Sequence, residues 1–285
     1  MSVVDTAMVG RLGAAAQGGA GLAGALWFSV SCLGLGVVLG AETLVAQAVG
    51  ARDLPGASRA FGQALVAAVL VGAPLTVLLC VLPLFFGAAG IEPRTAHETA
   101  HCLLGRAPQI IPFLLFSACR SYLQARGITR PVVLAVVLSN LLNVLFNLLL
   151  IYGDDGLRRA GLPPIGLPPL GVLGSGLSTS LAQLGALGLL TLSVRRARPP
   201  RAPRPAVPLI DPALLRRALR LGLPIAVTLL AEIGAFTLGS VLVGRISATA
   251  SASHQVALTL ASLSFTVTLG IGSATLFRKL KEYRV

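Results

Sequence analysis

Long apolar runs, most of them near the ~20 residues a helix needs to cross a bilayer, alternate with short polar segments along the whole chain. The pattern predicts membrane-crossing helices at about residues 22–49, 60–86, 102–123, 132–151, 171–194, 221–243 and 256–277. Met1 to about Gly10 is apolar but too short to cross, so it reads as a clipped helix, and the Gly/Ala-rich stretch 11–21 reads as a loop. Residues 51–59 form a polar turn, and 87–101 and 154–169 are predicted loops. The stretch 195–205 is a Pro/Arg linker that cannot be helical throughout, because proline lacks the backbone donor a helix interior needs. A basic amphipathic turn over 212–220 then leads into the next span. The fold class is therefore all-α and integral to the membrane, with about eight transmembrane helices.

Composition agrees. The chain is 55% hydrophobic and 12% charged, with a mean hydropathy of +0.84, whereas soluble domains carry about 25% charged residues. A formal charge of +13 in 285 residues would suggest nucleic acid in a soluble protein. Here the basic residues lie between apolar runs with no aromatic-interleaved basic surface, so no nucleic-acid partner is expected. Counted by alternate loops, sixteen basic residues fall on one side (Arg52, Arg59, Arg126, Arg130, the arginines from Arg195 to Arg220 and the C-terminal cluster). Five fall on the other (Arg11, Arg94, Arg158, Arg159, Arg245). The positive-inside rule makes the first side cytoplasmic, the 195–220 linker included. The chain is expected in the cell inner (plasma) membrane as a multi-pass protein in contact with lipid and without a cleavable signal peptide. Cys32, Cys80, Cys102 and Cys119 are scattered singly and read as packing residues.

Chemistry is concentrated in a few polar residues inside the spans. Asn140, Asn143 and Asn147 fall at i, i+3 and i+7 on one side of the 132–151 helix. Lipid satisfies neither amide donors nor acceptors, so this row faces other helices or a wet cavity. As interhelical glue such contacts contribute about 1 kcal/mol each. Asp5 and Glu232 would cost about 2.5–3.5 kcal/mol if they faced lipid at the bilayer centre. A carboxylate beside Asn143 and Asn147 has two ways out: it binds a proton, or it holds Na⁺ with oxygen ligands. Glu42, with Gln47, lies nearer the cytoplasmic end of its span, where an interfacial structural role is the alternative. His97-Glu98-Thr99-Ala100-His101 matches the zincin pattern, with two histidines on one helical face and Glu98 as general base. A membrane metalloprotease is thus a rival reading, although no third ligand is placed by sequence. No metal is expected.

Val9-Gly10-Arg11 recurs as Val243-Gly244-Arg245, and Gly40-Ala-Glu-Thr43-Leu44 is matched by Gly272-Ser-Ala-Thr275-Leu276, at offsets of 234 and 232. An even number of spans separates the copies, so the halves share one orientation. The repeat implies a twelve-helix design of which this chain carries about eight helices.

These features resemble the multidrug and toxic-compound extrusion (MATE) transporters over nearly the whole chain. The resemblance rests on Asp5-Thr6-x-Met8-Val9-Gly10, Glu42-Thr43-Leu44-x-x-Gln47-Ala48-x-Gly50-Ala51 and Tyr122-Leu-Gln124-x-x-Gly127-x-Thr129-x-Pro131. The asparagine row, Gly171-x-x-Gly174-x-Gly176-x-x-Thr179, and Glu232 followed by Ser253-His254-Gln255 complete it. It implies a two-lobe secondary transporter, not an enzyme, acting as a monomer. Such a protein exports cationic or amphipathic small molecules against H⁺ or Na⁺, with no cofactor beyond the coupling ion. The implied division is an N-lobe over 1–194, a cytoplasmic linker over 195–211 and a partial C-lobe over 212–285. The implied coupling residues are Asp5, Asn143, Asn147, Thr179 and Glu232, with Asn140, Glu42 and Gln255 as weaker candidates for the substrate cavity. Some members carry Asp at the position of Asn147, which leaves the coupling ion open, and a non-transporting fragment is a further alternative.

Overall fold

The computed structural model describes residues 2–159, 161, 163–164, 166–197 and 211–282. Ten α-helices account for nearly all of it, and no strand occurs among the described residues. They are α1 (Ser2–Val9), α2 (Ala14–Gly50), α3 (Leu54–Val81), α4 (Pro93–Arg106), α5 (Ile110–Ala125), α6 (Arg130–Tyr152), α7 (Asp154–Arg159), α8 (Gly171–Ala197), α9 (Pro212–Gly244) and α10 (Ala248–Glu282). Among the described residues six helical stretches are long and apolar enough to cross a membrane, with α4 and α5 counted as one interrupted span. The expected number of about eight also counts α1, which at eight residues is too short to cross, and α10, neither of which is among these six.

Helix boundaries follow local chemistry. Asp53 accepts from Gly56 N, Glu92 from Thr95 N at 2.8 Å, and Asp211 from Ala213 N at 3.0 Å, so α3, α4 and α9 each begin on an acidic cap followed by proline. Such caps satisfy amide donors that the first helical turn leaves unpaired. Several expected loops prove helical. Gly13 (φ 116°) starts α2 within the expected 11–21 loop, α4 takes in 93–101 of the expected 87–101 loop, α7 lies within 154–169, and 212–220 is the first part of α9. Of the linker expected over 195–211, residues 195–197 belong to α8 and Asp211 caps α9, while 198–210 lie outside the described residues.

Segments that the charge bias assigns to one side share one end of the bundle. Glu92 N donates to Gly244 O at 3.2 Å, joining the α3–α4 and α9–α10 turns. At the opposite end Arg126 Nη1 donates to Ala197 O at 2.7 Å and Asp211 N to Gln63 Oε1 at 3.0 Å. α10 begins 234 residues after α2, the same offset as the repeated Val-Gly-Arg.

Small residues let the long helices touch. A Cβ added to Gly36 would strike Ala226, and one added to Gly40 would strike the backbone at Ala218 and Gly222. α2 and α9 therefore meet backbone to backbone, as small residues permit in lipid. Ser29 and Thr237 share a hydrogen bond at 2.6 Å along the same seam.

Candidate functional site

Asp5 lies on α1, which Val9 anchors in the core and which Tyr152 holds by donating to Met8 O at 2.6 Å. Its carboxylate points at the junction of α6 and α8. Asp5 Oδ1 accepts from Asn147 Nδ2 at 2.6 Å and from Asn143 Nδ2 at 3.1 Å. Asp5 Oδ2 lies 3.2 Å from the Thr179 hydroxyl, which can donate to it or to Ser175 O at 3.0 Å. Asn143 Nδ2 also reaches Thr179 Oγ1 at 3.3 Å. Relative exposures are 7% for Asp5, 0% for both asparagines and 1% for Thr179.

Helix periodicity explains why these four meet. On α6 the buried positions are Val132, Ala135, Ser139, Asn143, Asn147 and Ile151, one stripe at three- and four-residue spacing. On α8, Gly174 lies so close to Leu150 O that no side chain fits between the helices, which lets the asparagine stripe reach Thr179.

The cluster is rich in oxygen. The Oδ1 atoms of Asn143 and Asn147 are buried without a hydrogen-bond partner. They join two carboxylate oxygens and one hydroxyl in a set of five oxygens from four residues. With the amides turned so that oxygen rather than N–H faces Asp5, such a set suits a hard cation. It also suits a protonated carboxyl, whose O–H would find an amide acceptor beside it.

The remaining expected site residues are elsewhere. Asn140 is only half-buried, at the edge of the stripe, and donates to Val136 O of its own helix at 2.8 Å. Glu232 is exposed on α9, on the side of Cys32 of α2 and away from the Asp5 cluster. Glu42 is half-buried, with Oε2 enclosed and unpartnered. Gln255 of α10 packs over Gly21 of α2, with Nε2 3.4 Å from Thr259 Oγ1. Arg106, only four residues into the expected 102–123 span, lies well inside the observed one because α4 starts at Pro93, and its guanidinium carbon lies 5.2 Å from the centre of the Trp27 ring. His97 and His101 are exposed on α4 with rings 4.3 Å apart. No group of three His, Cys, Asp or Glu residues able to hold a metal occurs among the described residues.

Sequence reasoning missed Tyr152, Ser175, Ser139 and Gln183. The last two were open to the periodicity already in use, standing four residues before Asn143 and four after Thr179.

The sequence matches the MatE family model over residues 1–149, more than half of the chain. The chain belongs to the MATE family. It is 36% identical over 281 residues to a probable multidrug resistance protein NorM of Bradyrhizobium diazoefficiens and 34% identical to a protein of the same description from Pseudomonas putida. Each match covers 98% of this chain and 58% of the relative, so the chain spans little more than half the length of these MATE proteins. Among solved structures it resembles an inward-facing multidrug resistance MATE transporter of the MOP superfamily (TM-score 0.77, 20% identity, 92% of this chain and 57% of the other). It also resembles a MOP-superfamily transporter from Pyrococcus furiosus, described as having a binding pocket of reverse polarity (TM-score 0.71, 21% identity, 93% and 55%). Fold and membership make this MATE protein a multi-pass protein of the inner membrane. Asp5, Asn143 and Asn147 lie inside the family match; Thr179 and Glu232 lie beyond it.

Proposed function

We propose that this chain takes part in secondary multidrug efflux, exporting cationic or amphipathic small molecules in exchange for H⁺ or Na⁺, with Asp5 as the group that binds the coupling ion. The observation that carries this reading is the enclosed carboxylate of Asp5 beside two buried amide oxygens that have no protein partner. An ionised carboxylate at that depth needs a compensating charge. A proton or sodium ion supplies it and would favour one arrangement of α1 against α6 and α8, while release would favour another. An ion can bias such an equilibrium only by binding the two arrangements unequally, and a cage assembled from three helices has that property. Glu232, on α9, is a second carboxylate available to an exchange cycle but does not share this cage.

Ethidium accumulation in cells expressing the full chain tests the reading. Expression of the wild type should lower accumulation, and Asp5→Asn should restore it while leaving the amount of inserted protein unchanged. A wild-type chain that inserts yet leaves accumulation untouched supports the non-transporting alternative.

A further inference from the structure

The Asp5 cluster has a polar neighbour that the reading above leaves unused. Gln183 stands one helical turn beyond Thr179 on α8, is 7% exposed, and has a buried Nε2 with no hydrogen-bond partner. Ser139, equally buried, stands one turn beyond Asn143 on α6. Because α6 and α8 run antiparallel, these two turns lie at one level, toward the middle of the bundle. The α4–α5 span approaches from the other side. Gly105 packs against Gly176, and Gly105 O accepts from Ser180 Oγ at 2.8 Å, which fixes the register of the two spans. One turn further, Gln109 comes level with Gln183. Gln109 is 4% exposed, and its Oε1 also lacks a partner. A buried amide donor and a buried amide acceptor thus stand on neighbouring helices with their hydrogen bonds unmade.

The backbone breaks at the same level. A 3₁₀ turn at Ala107–Gln109 containing Pro108 interrupts the span, and the carbonyls of Gly105 and Arg106 accept from the side chains of Ser180 and Trp27 instead of only from their own helix. Irregular backbone at membrane depth persists where protein buries it or where it lines a water-filled space. Of the eight buried side-chain polar atoms without a partner among the described residues, four lie along this file: Asn143 Oδ1, Asn147 Oδ1, Gln183 Nε2 and Gln109 Oε1. A water molecule both donates and accepts, so one or two would satisfy the glutamines together.

We infer that Gln109 and Gln183 line a hydrated pocket one turn inward of Asp5, and that this pocket is the route by which H⁺ or Na⁺ reaches the carboxylate. The route rests on the coupling role proposed for Asp5; the pocket itself does not. In this arrangement the glutamines hold water and touch neither substrate nor the carboxylate. Ser139 and Thr179 supply hydroxyls between the pocket and the Asn143 amide, so the polar path continues to the carboxylate.

Two readouts on the full chain in lipid vesicles test this. In a background with all four cysteines replaced by alanine, Gln183→Cys is treated with a small methanethiosulfonate and compared with Leu190→Cys, which is fully buried on the same helix. Reaction at least tenfold faster at position 183 is expected, and equal rates overturn the pocket. Should Gln183→Cys fail to accumulate, Gln109→Cys against Leu114→Cys gives the same comparison. The second readout is the double variant Gln109→Leu with Gln183→Leu. Ion-driven flux is expected to fall at least tenfold while ethidium binding stays within twofold of wild type; unchanged flux overturns the route. If the wild type shows no ion-driven flux, the reading of Asp5 has failed, and the labelling rates alone decide whether the pocket exists.

Discussion

Asn147 Nδ2 donates to Asp5 Oδ1 at 2.6 Å, across 142 residues of chain. The amide holds the carboxylate against α6, while its own oxygen is buried without a hydrogen-bond partner. Asn147→Asp would set a second carboxylate against the first, and like charges at this distance cannot both stay ionised. Titration by the pair, with two apparent steps, is the expected result. Proton-coupled flux measured against pH should shift its midpoint upward relative to wild type, and an unchanged profile would separate Asn147 from the ion.

Thr179 stands between Asp5 and Asn143. Thr179→Val keeps the shape and removes the hydroxyl, so the chain should insert normally. Loss of one neutral hydrogen bond corresponds to about 1 kcal/mol, or roughly a fivefold weaker affinity for the coupling ion. Ion concentration at half-maximal flux is the quantity to measure.

The seam between α2 and α9 depends on glycine. Gly40→Leu would force the helices apart, because the added side chain would meet the backbone of Ala218 and Gly222. Overpacking of this kind typically destabilises by about 1–3 kcal/mol, which a lowered thermal midpoint of the purified protein would report. Thr237→Val, which removes only the hydroxyl shared with Ser29, should cost about 0.6 kcal/mol, the average for interhelical hydrogen bonds in membranes.

Glu92 caps α4 outside the spans. Hydrogen bonds from Thr95, side chain first and then backbone, hold its carboxyl below the ordinary value of 4.5. A lowered folded-state pKa gives stability that is present above the unfolded value and lost as pH falls through the folded one. The first turn of α4 should therefore stay protected at neutral pH and open only below about pH 4.5. Amide exchange at Thr95 measures this, and the effect is small because Glu92 faces solvent.

Much of this was written in the sequence, and the reason is periodicity. Asn143 and Asn147 share a helical face by spacing alone, and the resemblance placed Asp5 and Thr179 beside them. Asn140 was assigned to the same row, but a three-residue step puts it at the margin of the buried stripe, where its own backbone takes up its amide. Residues 14–21 were read as a loop because glycine weakens isolated helices. In the fold those glycines are where α2 meets Glu98, Ser251 and Gln255, and the packing outweighs the propensity. The break at Ala107–Gln109 left little trace beyond one proline, since its carbonyls are satisfied by Trp27 and Ser180, both distant in the chain.

Counterflow in sealed vesicles tests the role of Asp5 most directly. With an outward gradient of an organic cation such as ethidium, wild-type protein should drive H⁺ or Na⁺ the opposite way, and Asp5→Asn protein inserted to the same level should drive neither. Equal ion movement by the two would show that the carboxylate enclosed by Asn143, Asn147 and Thr179 is a structural group with no part in coupling.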